Sequence, residues 1–341
     1  MTVLATTTPG DQGLAAFDTS LQLGESEPLG TGVKRVTMEQ LELAATRFFD
    51  ADLGFGGAVH ESRKSIKRVR ALLRLVRSEI PERIYDFENT SLRDTARLIS
   101  VVRSAQGVLN AAVSIHQLYG DLLAVGTFEE LITRLERRRD MAELSTLEAP
   151  HLVGRVVRGL ERAYQRYASW PTDPEAQKVY GLGIRDHYDS VSPGLSSTYD
   201  RGRQTMVTAY RRGGPSAFHE WRKRVKDMRH QMEFLAPLWP EVVVGTAMTL
   251  DRLGNILGED NDLAELQRLL RERPDLCSNP RERSLFRALA GQRRSELQLA
   301  GEILGRRVYA EKTKSLSGRF GEYWAAREMA ITGSLDTLVV Y

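Results

Sequence analysis

Residues 59–70 read VHESRKSIKRVR, and residues 218–229 read FHEWRKRVKDMR. A constant offset of 159 residues pairs His60 with His219, Glu61 with Glu220 and Arg63 with Arg222, then Lys64 with Lys223, Lys67 with Lys226 and Arg70 with Arg229. Apolar positions keep the same step, Ile66 with Val225, Val69 with Met228 and Leu73 with Met232. Six identities in twelve positions, mostly charged, exceed what a shared helical composition supplies, so the chain reads as two halves of one duplicated unit. At 100° per residue, His60, Arg63, Lys64, Lys67, Arg70, Arg74 and Arg77 fall within an arc of about 140°. Ile66, Val69, Leu72, Leu73 and Val76 fill the neighbouring arc, so one face packs and the next is cationic.

The rest of the chain carries the same period. Helical spacing predicts helices over about 34–49, 58–79, 91–119, 128–139 and 152–170. In the second half it predicts them over 196–212, 215–238, 241–257, 260–272 and 280–307. The glycine run Gly54-Phe55-Gly56-Gly57 reads as a break. Alternating β-branched runs are nearly missing, and Val242-Val243-Val244 is too short to make a strand. The fold class is therefore all-α. Residues 1–30, rich in Thr, Gly, Ser and Pro, read as a disordered acidic arm. The first helical half is expected over 31–170, a Pro-marked connection over 171–195, the second half over 196–310 and a C-terminal extension over 311–341.

Composition narrows the function classes. The 341 residues include 48 Lys and Arg against 45 Asp and Glu, a net charge of +3. The first 33 residues hold four acids and no Lys or Arg, which leaves +7 over residues 34–341. The single cysteine, Cys277, excludes an intrachain disulfide and any zinc site built on several thiolates. No run approaches the ~18 apolar residues of a membrane span, and the N-terminus lacks a secretory signal pattern, so a cytoplasmic protein without membrane contact is expected.

The duplicated helix points to an anionic partner. From His60 to Arg77 there are seven Lys and Arg and one acid, Glu61. Like charges at i,i+3 and i,i+4 destabilise a helix by a few tenths of a kcal/mol per pair, and no interspersed glutamates relieve them. A strip of about 25 Å at 1.5 Å per residue suits a row of phosphates rather than one. Arg supplies forked donors and Lys a point charge, both suited to phosphate. The second copy, with Arg222, Lys223, Lys226 and Arg229 on the corresponding face, carries Glu233 where the first carries Arg74. His60 and His219 lack carboxylates at ligand spacing, so they read as hydrogen-bonding groups rather than metal ligands, and no metal or cofactor is expected.

HxxRKxxKxxR in each half of an all-α chain resembles the CHAD domain, the conserved histidine α-helical domain. The resemblance runs from about Leu29 to Arg307. Residues 89–103, NTSLRDTARLISVVR, and 250–266, LDRLGNILGEDNDLAEL, look like the helices that follow the two motifs. It implies two four-helix bundles related by pseudo-two-fold symmetry, with a basic cavity that binds inorganic polyphosphate, and location at polyphosphate granules. The residues it marks are His60, Arg63, Lys64, Lys67, Arg70, His219, Arg222, Lys223, Lys226 and Arg229. Arg74 and Arg77 extend the first strip by geometry, while Arg35, Arg103, Arg201 and Arg203 are secondary candidates. One departure is Ser104, where the family commonly has Asp; Asp262 keeps an acid in the second half.

Enzymatic readings lack their motifs. The chain has no GxxxxGK[ST] loop, no GxSxG elbow and no ExExK strand. Asp260 and Asp262 read as caps or local ion pairs. The expectation is a non-catalytic polyphosphate-binding module, with nucleic acid as the competing polyanion. A protein partner for the helical surface and a metal-dependent polyphosphatase are the further alternatives.

Overall fold

The computed structural model describes residues 19–149, 151–172 and 183–333. Among these there are eleven α-helices and no strand, in agreement with the all-α reading. The first half contains α1 (Leu29–Thr46), α2 (Gly54–Leu75), α3 (Glu82–Leu98), α4 (Ser100–Tyr119), α5 (Glu129–Glu148) and α6 (Leu152–Ala168). The second contains α7 (Ser192–Arg212), α8 (Pro215–Leu235), α9 (Pro240–Glu272), α10 (Pro280–Val308) and α11 (Thr313–Ile331). The two motif copies lie on α2 and α8, as the repeat predicts.

Several boundaries differ from the periodic reading, each for a local reason. The glycine run does not interrupt the chain. Gly54 takes φ +61°, and α2 starts there. The segment expected as one helix over 91–119 starts earlier, at Glu82, and bends by 60° between α3 and α4. Ile99-Ser100-Val101-Val102 is poor in helix formers, and Ile99 leaves helical geometry (φ −110°, ψ 21°). Conversely, the expected break near Gly258 is bridged by the single 33-residue helix α9. Leu250, Leu253, Leu257, Leu263 and Leu266 along it are all buried, and this continuous apolar burial outweighs the ~1 kcal/mol propensity cost of a mid-helix glycine. Residues 311–341 also contribute a helix, α11, whose Phe320 and Trp324 are buried.

Residues 1–18 of the expected acidic arm, 173–182 of the connection and 334–341 of the C-terminal extension lie outside the described residues. From Thr19 onward the chain is packed. Leu21 and Leu23 are buried, and the Leu23 amide donates to the Phe234 carbonyl at 3.0 Å. Arg327 of α11 donates to the carbonyls of Gly24 and Glu27, tying the two ends of the fold together.

The apolar core is not divided along the two halves. One cluster joins α1, α2, α3, α6, α7, α8, α11 and the first part of α9. A second joins the later turns of α4 and α9 to Phe128, Leu131, Leu135, Phe286 and Leu297. The halves meet where α2 packs on α7 and α8, and where α4 packs on α9. At the α2–α8 crossing, Gln231 donates to the Ala71 carbonyl at 3.2 Å. This crossing brings the two motif helices face to face.

Candidate anion-binding site

A cleft of about 470 Å³ opens between α2, α4, α8 and α9. From α2 it receives His60, Arg63 and Lys67, and from α8 the repeat-related His219, Arg222 and Lys226. Arg103 enters from α4, and Arg268 and Arg271 from the last turns of α9. Seven guanidinium or ammonium groups therefore face two carboxylates, Asp262 and Glu265.

Local structure explains how each group is aimed. Gly213 and Gly214 both have positive φ (65° and 83°), which a side chain would oppose, so α7 reverses into α8 within two residues. Pro215 then starts α8 at its first turn, and Pro215 and Ser216 themselves line the cleft, turning the positive end of a 21-residue helix toward it. On α9, a side chain at position 258 would sit 3.2 Å from the Arg222 guanidinium, so Gly258 lets Arg222 lie against the helix backbone. Its counterpart Arg63 instead donates to the Ala96 carbonyl in the last turn of α3, beside the bend at Ile99. This bend, which the corresponding helix α9 does not share, thus gives the repeated arginines different supports.

Burial without counterions shapes the electrostatics. Lys67 is pushed down to about 7, first by burial and then by the charges of Arg63, Arg222 and Arg103; Asp262 opposes this. Lys226 is pushed down to about 6 by burial, then by Arg222, Lys67 and Arg103. Burial also lowers Arg63 and Arg222, with Arg103 adding repulsion. His60 is lowered chiefly by burial, which favours its neutral imidazole. His219 Nδ1 lies 2.7 Å from Asn261 Oδ1, and Asn261 Nδ2 donates to Asp262 at 3.2 Å. With the Asn261 amide so oriented, Nδ1–H donates and the other imidazole nitrogen stays available. Arg103 Nη2 pairs with Asp262 Oδ2 at 3.3 Å across the α4–α9 contact.

The remaining sequence-marked residues go elsewhere. Lys64 pairs with Glu61 at 3.2 Å, and Lys223 pairs with Glu220, each one turn back. Arg70 donates to Asn89 at 3.0 Å, and burial lowers it to about 10. Arg74 pairs with Asp227 at 3.3 Å, and Arg77 sits 4.4 Å above the Tyr85 ring. Arg229 bridges Glu233 at 2.9 Å and Asp251 at 2.5 Å. Of the secondary candidates, only Arg103 reaches the cleft. Arg35 pairs with Glu27 at 2.8 Å, Arg203 lines a separate groove between α7 and α10, and Arg201 is exposed on α7. Sequence reasoning missed Arg268, Arg271, Ser216 and Asn261. Asn261 lay in the quoted LGEDND stretch; Arg268 and Arg271 sit beyond the repeat and carried no signal.

Asp260 is fully buried and pairs with Arg294 at 2.9 Å and Gln298 at 3.0 Å, a structural role. Among the described residues no three His, Cys, Asp or Glu side chains converge as metal ligands. No single helix there is long and apolar enough to cross a membrane.

The CHAD domain family model matches residues 43–271, two thirds of the chain, including both motif helices and the α4 and α9 walls of the cleft. The chain belongs to the CHAD family. This family is associated with polyphosphate-related functions. No curated protein matches the chain. In this CHAD chain the repeated histidine, arginine and second lysine of each motif share one cleft, whereas the first lysine of each motif is held by its own glutamate.

Proposed function

We propose that the cleft binds inorganic polyphosphate without chemically altering it. The observation that carries this reading is the convergence of Arg63, Lys67, Arg103, Arg222 and Lys226 on one cleft with Asp262 as the nearest counter-charge. Such a site is short of negative charge, and a chain of phosphates supplies several charges along a flexible backbone. Arg63 and Arg222 would fork onto non-bridging oxygens, while Lys67 and Lys226 neutralise the charge between them. No Phe, Tyr or Trp lines the cleft, so it lacks the broad aromatic platforms on which nucleic-acid bases stack. A cleft of this volume takes a bare phosphate chain, whereas a duplex would meet only its rim. The repeated histidines contribute hydrogen bonds at the cleft wall. Granule association would follow from this affinity.

The test is competition at fixed salt. Immobilised long-chain polyphosphate is challenged with soluble polyphosphate, a heparin-like polyanion and duplex DNA at equal charge concentration, and released phosphate is followed with and without magnesium. Selective displacement by polyphosphate with no phosphate release is expected. Equal displacement by every polyanion would reduce the site to a generic basic surface. Phosphate release would make the protein a hydrolase.

A further inference from the structure

The seven cations of the cleft are not chemically equivalent. Five are arginines, which keep their charge at any accessible pH. Two, Lys67 and Lys226, are lysines, and they occupy repeat-related positions on the crossing helices α2 and α8. Among the described residues neither ammonium has a carboxylate within ion-pair distance or a hydrogen-bond acceptor. Lysine is also the cation that gives up its proton when crowded by like charge in a desolvated site.

The surroundings of the two lysines come from four helices. On α2 and α8 they face Arg63 and Arg222, with the imidazoles of His60 and His219 at the wall, and Arg229 adds to the field at Lys226. Arg103 faces them from α4. From α9 come Asp262, committed to Arg103, and Glu265, committed to Arg268, with Arg271 at the edge. Burial first, and like-charge repulsion after it, therefore disfavour both ammonium groups until an external anion enters.

Resting on the polyphosphate reading, we propose that ligand binding is proton-coupled: Lys67 and Lys226 take up protons as the phosphate chain enters, so that the cleft binds polyphosphate more tightly as pH falls. The sign follows from linkage. In the free protein the lysines release protons near about 7 and about 6. Beside phosphates their ammonium forms are favoured, so the complex holds more protons than the free protein between about pH 6 and the ordinary lysine range. Affinity falls as pH rises through that window, and the two lysines add no further dependence below it.

Titration calorimetry of the full chain with long-chain polyphosphate, in buffers of different ionisation heat at pH 8, counts the protons directly. Long chains keep the titrating end groups a negligible fraction of the ligand. Wild type is expected to take up between about one and two protons per site, and affinity to fall up to ~10-fold per proton for each pH unit. K67R/K226R, which keeps both charges but not the titration, is expected to bind with near-zero uptake and a flat profile from pH 6.5 to 9. Should the double variant fail to fold, K67R and K226R singly should each remove part of the uptake. A wild type that binds with no proton uptake, or arginine variants that keep the full uptake, would overturn the coupling. A wild type that binds no polyphosphate at any pH would instead overturn the polyphosphate reading itself.

Discussion

Two clefts flank the paired motif helices, and they use the same residue types to opposite ends. In the cleft built around Arg63, Lys67, Arg222 and Lys226, these four cations have no carboxylate within ion-pair distance among the described residues, while Arg103 and Arg268 at its edge are paired. A second and larger one, about 760 Å³, is lined by Lys64, Arg68, Arg229 and Arg293 together with Glu61, Glu233, Asp251 and Glu259. There three of the cations are matched: Lys64 by Glu61, Arg229 by Glu233 and Asp251, and Arg293 by Glu259 at 2.7 Å. The duplication itself explains part of the matching. Arg68 and Asp227 are repeat-related positions, as are Arg74 and Glu233. Arg74 pairs with Asp227 across the crossing, and the Arg68 charge helps to hold the Glu233 carboxyl down. Two copies that both kept the arginines would repel at this contact. Acids at these positions in the second copy make it a complementary bridge instead. A basic residue count thus does not locate the site; the lack of local carboxylates does.

The largest expected effect separates the two clefts. K67E/K226E should weaken polyphosphate binding about 1,000-fold, roughly 4 kcal/mol, in the competition assay, with helicity retained by circular dichroism. Retained affinity in that variant would erase the distinction. On the matched side the effect should move from binding to stability. Burial raises the Glu233 carboxyl, but the His230 hydrogen bond at 2.7 Å and the Arg229 and Arg68 charges hold it well below the usual carboxylate range. E233Q should therefore cost about 3 kcal/mol of stability by chemical denaturation while changing polyphosphate affinity less than about twofold. Because a depressed carboxyl stabilises only while ionised, the gap between wild type and E233Q should close as pH falls below ~4. An unchanged gap at acid pH would remove Glu233 from the bridge.

Smaller effects sharpen the picture within the cleft. D262N frees Arg103 from its tethered carboxylate and should raise polyphosphate affinity by about 5-fold, ~1 kcal/mol, read in the same assay; a loss of affinity would make Asp262 a support rather than a competitor. Smallest of all, K64E/K223E should shift affinity less than about threefold, since each lysine is already neutralised by a glutamate one turn away. A shift as large as that of K67E/K226E would mean that the whole strip, and not the cleft, holds the chain.

Much of this arrangement was legible in the residues alone. The repeated HxxRKxxKxxR marked an all-α chain with a cationic face on two matching helices, because a 3.6-residue period places apolar and cationic arcs side by side whatever the tertiary context. That arc spans about 140°, however, and a wheel cannot tell which part of it faces a partner helix. Crossing α2 over α8 selected Arg63 and Lys67 with Arg222 and Lys226, and turned Arg70, Arg74 and Arg77 toward Asn89, Asp227 and Tyr85. Arg268 and Arg271 entered the cleft only because α9 runs unbroken through Gly258, which propensity argues against and burial of its leucines overrides. Local periodicity depends on neighbours along the chain and is written in the sequence. Charge pairing depends on neighbours across it, and residues 159 positions apart come within ion-pair distance, as Arg103 and Asp262 do, only once the halves have packed.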